Sequence, residues 1–196
     1  MEEVVDKVKE IIGPLLYAIN RHDKLNKLNF AVGGGAIVDS ILFGKIQKDF
    51  DIFLMDLEVG DYFYQILRDI GYRQYDQNTW ARKFRSFNNE IDVCHLRTFT
   101  QEEYINNVDM TVASGLLDNN LIFHCRPEFF DDVENKVINI VNINEPDPRL
   151  EYRVNKMKEK GFKLNKESEK LYNIYYRGGD YKKLLKPISK NDILMF

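Results

Sequence analysis

Cysteine is nearly absent: Cys94 and Cys125 are the only two in 196 residues, too few for a disulfide framework. Neither stands in a CxxC or Cys/His ligand spacing, and the three histidines, His22, His95 and His124, offer no zinc spacing of their own. Long apolar runs are missing as well. No stretch approaches the roughly eighteen consecutive apolar residues of a membrane span, so no membrane partner is expected. The opening residues, MEEVVDKVKE, alternate charged with apolar side chains where a signal peptide carries an apolar core. A soluble, unprocessed protein of the reducing cytoplasm is the expectation. Internal repeats and low-complexity tracts are lacking too, and nothing in the pattern speaks to oligomeric state.

What is present is enough for one good core. At 44% hydrophobic and 13% aromatic content, the chain should form one main domain with a small appended helical unit. The formal charge of −3 conceals an asymmetry. From Arg153 to Phe196 there are 12 Lys+Arg against 5 Asp+Glu, which leaves 16 against 26 of the totals for the residues before Arg153. An acidic body with a basic end suits a metal-using site beside a surface for phosphate.

Apolar spacing predicts an amphipathic helix over Glu3 to Ile19, and Leu28 to Val32 reads as a strand running into Gly33-Gly34-Gly35. A helix from Ala36 to Phe43 closes at Gly44, and Phe50 to Met55 is an apolar strand into which aspartates intrude. Asp61 reads as the cap of a helix through Ile70, ended by Gly71. Residues 79 to 97 read as a hairpin turning at Asn88-Asn89, with Trp80 to Phe87 and Glu90 to Leu96 as its arms. Thr100 and Glu103 form a capping box. Strands are expected at Leu121 to Cys125 and Val137 to Ile143. Beyond Pro146 the pattern is helix only: Asp147 as cap, Pro148 first, Gly161 as stop, and a second helix over Lys166 to Tyr176. The boundaries are therefore a mixed α/β domain over 1–146 and a short helical extension over 147–196.

The chemistry lies in Asp49-Phe50-Asp51. Residues two apart on a strand share a face, so two carboxylates stand a few ångströms apart and repel. A divalent cation removes that repulsion, and hard oxygen ligands suit Mg²⁺ or Mn²⁺. A third acid comes from the alternating strand Glu90-Ile91-Asp92-Val93-Cys94. Glu90 and Asp92 share its face, and Glu90, beside the Asn-Asn turn, is the more solvent-facing of the two. Three carboxylates from neighbouring strands can hold two metals about 3.5–4 Å apart. Upstream, Gly33-Gly34-Gly35 joins a strand to a helix, which lets backbone N–H groups approach phosphates.

The segment AVGGGAIVDSILFGKIQKDFDIF resembles the head-domain signature GGxVRDxLLGxxxxDxDI of the tRNA CCA-adding enzymes and bacterial poly(A) polymerases, including the distance from Gly44 to Asp49. Ile91 to Arg97 resembles the family's strand with the third carboxylate and a later arginine. Val108 to Val112 resembles its RDFTI segment, and Asp147 to Arg153 with Gly161-Phe162 resembles its EDPxRxxRxxRF helix. The resemblance implies an α/β (α+β) fold of the polymerase-beta-like nucleotidyltransferase kind, a mixed sheet with flanking helices. It implies a transferase that moves NMP from an NTP to an acceptor hydroxyl, most simply a tRNA 3′ end, with release of pyrophosphate. Asp49, Asp51 and Asp92 would be the catalytic and metal-binding acids. Gly33, Gly34, Lys48, Arg97, Asp109, Asp147, Arg149 and Arg153 would contact the nucleotide. Lys156, Lys160 and Lys163, at the start of the basic stretch, would contact RNA.

Departures from the signature change part of that expectation. Val38 and Val108 replace arginines, Ala113 replaces an asparagine, and Pro146 and Leu150 replace the glutamate and arginine of EDxxR, with Asp147 kept and Arg149 adjacent, so base choice is expected to be looser than the family's. The chain also stops where the family's helical body and tail continue, which predicts no full tRNA-measuring apparatus. Transfer to a small molecule or a protein is the rival enzymatic reading, and a non-catalytic nucleotide- or RNA-binding module is the rival from another class.

Overall fold

The computed structural model describes residues 1–196 apart from 47–48, 57, 80, 88, 95–99, 144–148, 183–184 and 186–192. It opens with α1 (Glu2–His22), whose Val5, Val8, Ile12, Leu15, Leu16 and Ile19 form the buried stripe that the spacing predicts. β1 (Phe30–Gly33) is buried at every position, and α2 (Gly35–Phe43) ends at Gly44 in the left-handed conformation, φ 66°. β2 (Asp49–Leu54), α3 (Gly60–Asp69), β3 (Arg73–Gln77), β4 (Ala81–Arg85) and β5 (Glu90–Cys94) follow. Then come α4 (Gln101–Asn107), a single 3-10 turn over Thr111–Ala113, β6 (Leu116–Asp118), β7 (Phe123–Cys125) and α5 (Phe129–Glu134). The last elements are β8 (Val137–Ile138), α6 (Leu150–Glu159), β9 (Lys163–Leu164), α7 (Lys166–Tyr176) and β10 (Leu194–Met195).

Eight strands form one mixed sheet in the order β10-β7-β6-β1-β2-β5-β4-β3, and β8 pairs with β9 separately. Within the large sheet β2 and β5 run parallel, while the other neighbours are antiparallel. One face packs on α1, α2 and α3, with Phe30 against Phe63 and Phe84 stacked on Tyr64. On the other face a smaller cluster of Ala31, Met55, Ile105 and Leu116 seats α4 over β1 and β6. The acids lie on this second face, beside that cluster, on β2 and β5. Among the described residues no helix is long and apolar enough to cross a membrane.

Several expectations are corrected. Asp61 lies inside α3, whose N-cap is Val59; its carboxylate is solvent-exposed, 3.7 Å from Arg82. The strand expected over Val137 to Ile143 shrinks to β8, because the chain then turns away and touches Met110 only through a bridge at Ile140. The stretch after residue 146 is not helix only: β9 pairs with β8, and β10 joins β7 at the edge of the main sheet. α6 begins at Leu150 with Arg149 as N-cap, and the cap expected at Asp147 falls outside the described residues. The capping box on α4 is as expected, with Glu103 N–H donating to Thr100 Oγ1 at 3.1 Å and Thr100 N–H to Glu103 at 3.0 Å.

Candidate active site

β2 alternates buried Phe50, Ile52 and Leu54 with partly exposed Asp49, Asp51 and Phe53, so the core holds one side of the strand and presents the acids on the other. β5 does the same with Ile91 and Val93 against Glu90, Asp92 and Cys94. The parallel register sets Asp51 beside Asp92 and Asp49 beside Glu90. Asp49, Asp51 and Asp92 each offer an oxygen within 4.8 Å of the others. Burial, and then the Asp49 charge, push the Asp51 carboxyl up to about 7, against the opposing pull of Lys156 and Lys83.

Asp92 Oδ2 accepts a 2.7 Å hydrogen bond from Lys83 Nζ, and that bond holds the Lys83 ammonium above its ordinary range. Asp92 Oδ1 is buried with no hydrogen-bond partner. A buried carboxylate oxygen without a donor, beside two more carboxylates, is a set of hard ligands that fits Mg²⁺ or Mn²⁺. Glu90 stands apart from the triad, taking a bond from Tyr75 Oη at 3.2 Å and pairing with Arg85 at 3.5 Å.

Gly34, the N-cap of α2, has φ 63° and ψ −133°, and a Cβ there would lie 3.0 Å from Asp51 Oδ2. The close passage of this backbone beside the acids therefore requires glycine. The start of α2 meets α6, since a Cβ on Gly35 would be 3.5 Å from Lys156 Nζ and 3.9 Å from Lys160 Nζ. Arg149, Arg153, Lys156 and Lys160 recur at helical spacing and line, together with the acid triad, a cavity of about 410 Å³. Arg153 Nε donates to Asp109 at 2.6 Å, and Lys160 pairs with buried Asp39. The Tyr104 ring packs on Phe53 at 4.6 Å between centroids, and its hydroxyl donates to the Ala113 carbonyl at 3.2 Å. Burial and the nearby acids keep the Cys94 thiol well above its ordinary range, so it is a neutral lining group rather than a nucleophile.

Of the residues singled out in the sequence, Gly34, Asp49, Asp51, Asp92, Asp109, Arg149, Arg153, Lys156 and Lys160 come together around this cavity. Gly33 does not line it. Gly33 sits in the sheet between Asp51 and Leu116, where a Cβ would meet Leu116 at 2.6 Å. Lys163 lies exposed on β9, outside the cavity lining. Lys48, Arg97 and Asp147 fall outside the described residues. Sequence reasoning missed Lys83, Tyr104 and Tyr152. The hairpin read from the sequence, turning at Asn88-Asn89, would set Arg85 opposite Asp92; the observed register pairs Arg85 with Glu90 and brings Lys83 to Asp92 instead.

The raised Asp51 value makes stability depend on pH. Below the ordinary value of 3.8 the carboxyl is protonated in folded and unfolded chains alike, and the raised folded value contributes its full stabilisation. The contribution is lost as pH climbs through about 7, where the folded carboxyl must ionise beside Asp49. We expect the thermal midpoint of the metal-free protein to fall across that window and Mg²⁺ to restore it at the upper end. A midpoint that rises across the same window in calorimetry contradicts this.

The sheet order, the helical layer and the acids on adjacent strands define the nucleotidyltransferase fold seen in CCA-adding enzymes. Among solved structures, a CCA-adding enzyme with CTP superposes at a TM-score of 0.69 with 17% identity, over 92% of this chain and 46% of that one. The Thermotoga maritima CCA-adding enzyme with tRNA gives 0.63 and 17%, over 81% of this chain and 40% of that one. A tRNA nucleotidyltransferase with a primer tRNA and an incoming ATP analogue gives 0.62 and 16%, over 81% and 50%. The chain thus spans half or less of the length of these three enzymes. No protein-family model and no curated protein matches the sequence.

Proposed function

We propose that this chain transfers a nucleoside monophosphate from a nucleoside triphosphate to an acceptor hydroxyl and releases pyrophosphate. The observation that carries this reading is one cavity lined both by three carboxylates within 4.8 Å of one another and by four cations of α6 and its N-cap. The acids suit a divalent ion, and the cations, with the N-terminus of α2 beside them, suit a triphosphate. Mg²⁺ or Mn²⁺ on Asp49, Asp51 and Asp92 would neutralise the α-phosphate and favour the alkoxide of the acceptor. Lys156, Lys160 and the N–H groups of Gly34 and Gly35 hold the phosphates. Arg149 and Arg153 extend that lining, with Arg153 oriented by Asp109. Lys48, Arg97 and Asp147 are proposed as further nucleotide contacts. In this arrangement residues 1–146 are the catalytic head, and 147–196 a neck-like extension that supplies the phosphate wall.

The acceptor we propose is an RNA 3′ end, supported by the tRNA bound in two of the structural neighbours. A small-molecule or protein acceptor is favoured by a different observation. Lys156 and Lys160, which the sequence suggests as RNA contacts, face into the cavity, and Lys163 lies away from it. Incubation with each labelled NTP, Mg²⁺ and total RNA decides the matter. Label in the RNA supports the first acceptor, label in protein or small molecules the second, and no label anywhere refutes nucleotidyl transfer.

Base selection should be loose. Leu150 is fully buried at the start of α6, so no side chain at that position reads a base edge by hydrogen bonding. We expect competition among the four NTPs to give rates within about tenfold, since sites without matched polar groups discriminate weakly. A strict order of CTP and then ATP would assign the reading to another group, with Arg149 the nearest candidate.

A further inference from the structure

We propose that Tyr152 is the platform on which the base of the nucleoside triphosphate stacks, so that this site holds its nucleotide by the face of the base rather than by its edge. The inference rests on the nucleotide-binding reading of the cavity given above. Among the described residues three aromatic rings line that cavity: Phe53, Tyr104 and Tyr152. The first two are engaged with each other, centroids 4.6 Å apart, and the Tyr104 hydroxyl donates to the Ala113 carbonyl. Tyr152 is 60% exposed, and among the described residues neither its ring nor its hydroxyl has a partner. The tyrosines of α7 behave differently: Tyr172, Tyr175 and Tyr176 pack on one another and stand outside the cavity lining.

The place of Tyr152 along α6 suits a base. Arg149, Tyr152, Arg153, Lys156 and Lys160 follow one another along the cavity-lining side of the helix, and Lys156 and Lys160 lie beside the start of α2. At a rise of about 1.5 Å per residue, Tyr152 precedes Lys156 by about 6 Å and Lys160 by about 12 Å along the axis. That interval matches the ribose and inner phosphate that separate a base from its outer phosphates. A triphosphate held at Lys156, Lys160 and Gly34 therefore brings its base to the Tyr152 ring. Leu150 is buried and reads no edge, whereas an aromatic face accepts all four bases and weights them by stacking strength. The larger ring system of a purine is then favoured modestly over a pyrimidine, inside the loose selection described above.

The test is calorimetric titration of the full chain, in Mg²⁺, with non-hydrolysable analogues of ATP and CTP and with inorganic tripolyphosphate as the ligand that lacks a base. Tyr152 is exposed, so its replacement leaves the fold intact, and circular dichroism on each variant checks this. We expect the wild type to bind both analogues more tightly than tripolyphosphate, the ATP analogue more tightly of the two. Tyr152→Ala should weaken both analogues by about tenfold and leave tripolyphosphate unchanged, while Tyr152→Phe should bind all three as the wild type does. Unchanged analogue affinities in Tyr152→Ala overturn the proposal, even where labelling of RNA falls, because the ring would then serve the acceptor. An equal loss for tripolyphosphate also overturns it, by assigning Tyr152 to the phosphate site. A wild type that binds none of the three ligands removes the nucleotide reading together with this inference.

Discussion

With Asp51 replaced by Asn, or Asp49 likewise, we expect transfer to fall by on the order of a thousandfold or more while the metal-free protein becomes more stable. The two effects share one cause. The acids sit on one face of β2, and Asp51 is already pushed towards the neutral form by burial and by Asp49. An amide cannot carry the charge that holds a divalent ion, and losing about 4 kcal/mol of transition-state stabilisation costs roughly a thousandfold in rate. The same amide ends the repulsion between the pair. For a domain of this size each kcal/mol so relieved raises the thermal midpoint by about 2–4 °C. Rate assays and calorimetry on the single and double variants check both. Near-wild-type transfer by the double variant would dismiss the triad as a metal site.

Gly34→Ala should be the second most damaging single change, and it should harm activity more than stability. A backbone at φ 63°, ψ −133° is nearly closed to side chains and costs an alanine about 1–3 kcal/mol. The added Cβ also lies 3.0 Å from Asp51 Oδ2, so the carboxylate must give by a few tenths of an ångström. A shift of about an ångström costs on the order of a hundredfold, so the smaller shift needed here should cost about tenfold. Gly71→Ala is the control, because Gly71 has φ 96° but an added Cβ there would meet nothing within 4 Å. It should lower the thermal midpoint and leave transfer unchanged. Equal losses of activity in the two variants would show that Gly34 matters only through backbone strain.

The acids were legible in the sequence because a period of two is enough to put Asp49 and Asp51 on one face and Asp92 on another strand's matching face. The helices were legible from spacing and punctuation, as Gly44 and the Thr100–Glu103 box illustrate. β3 was not, since Arg73–Gln77 is exposed throughout and shows no alternation to distinguish it from a loop. β6 and α5 are too short, at 3 and 6 residues, for periodicity to register. Along the sequence Lys156, Lys160 and Lys163 look like one basic run. Gly161, at φ 91°, breaks it, and the chain turns into β9 instead of presenting a third lysine on the same face. What spacing along one element could not supply was the facing of α6 towards α2, which depends on contacts distant in sequence.

The parallel pairing of β2 with β5 divides the large sheet along a seam. β3, β4 and β5 form an antiparallel unit joined to the rest of the sheet by that one ladder, with Tyr64 on Phe84 as a clasp from α3. Parallel ladders are slightly weaker per residue than antiparallel ones, but this one runs over five residue pairs and carries Ile52, Ile91 and Val93 into the core. Asp49 and Asp51 lie on one side of it and Asp92 on the other. An ion held by all three would therefore also tie the two sides of the seam together, and by binding the closed sheet alone would stabilise it.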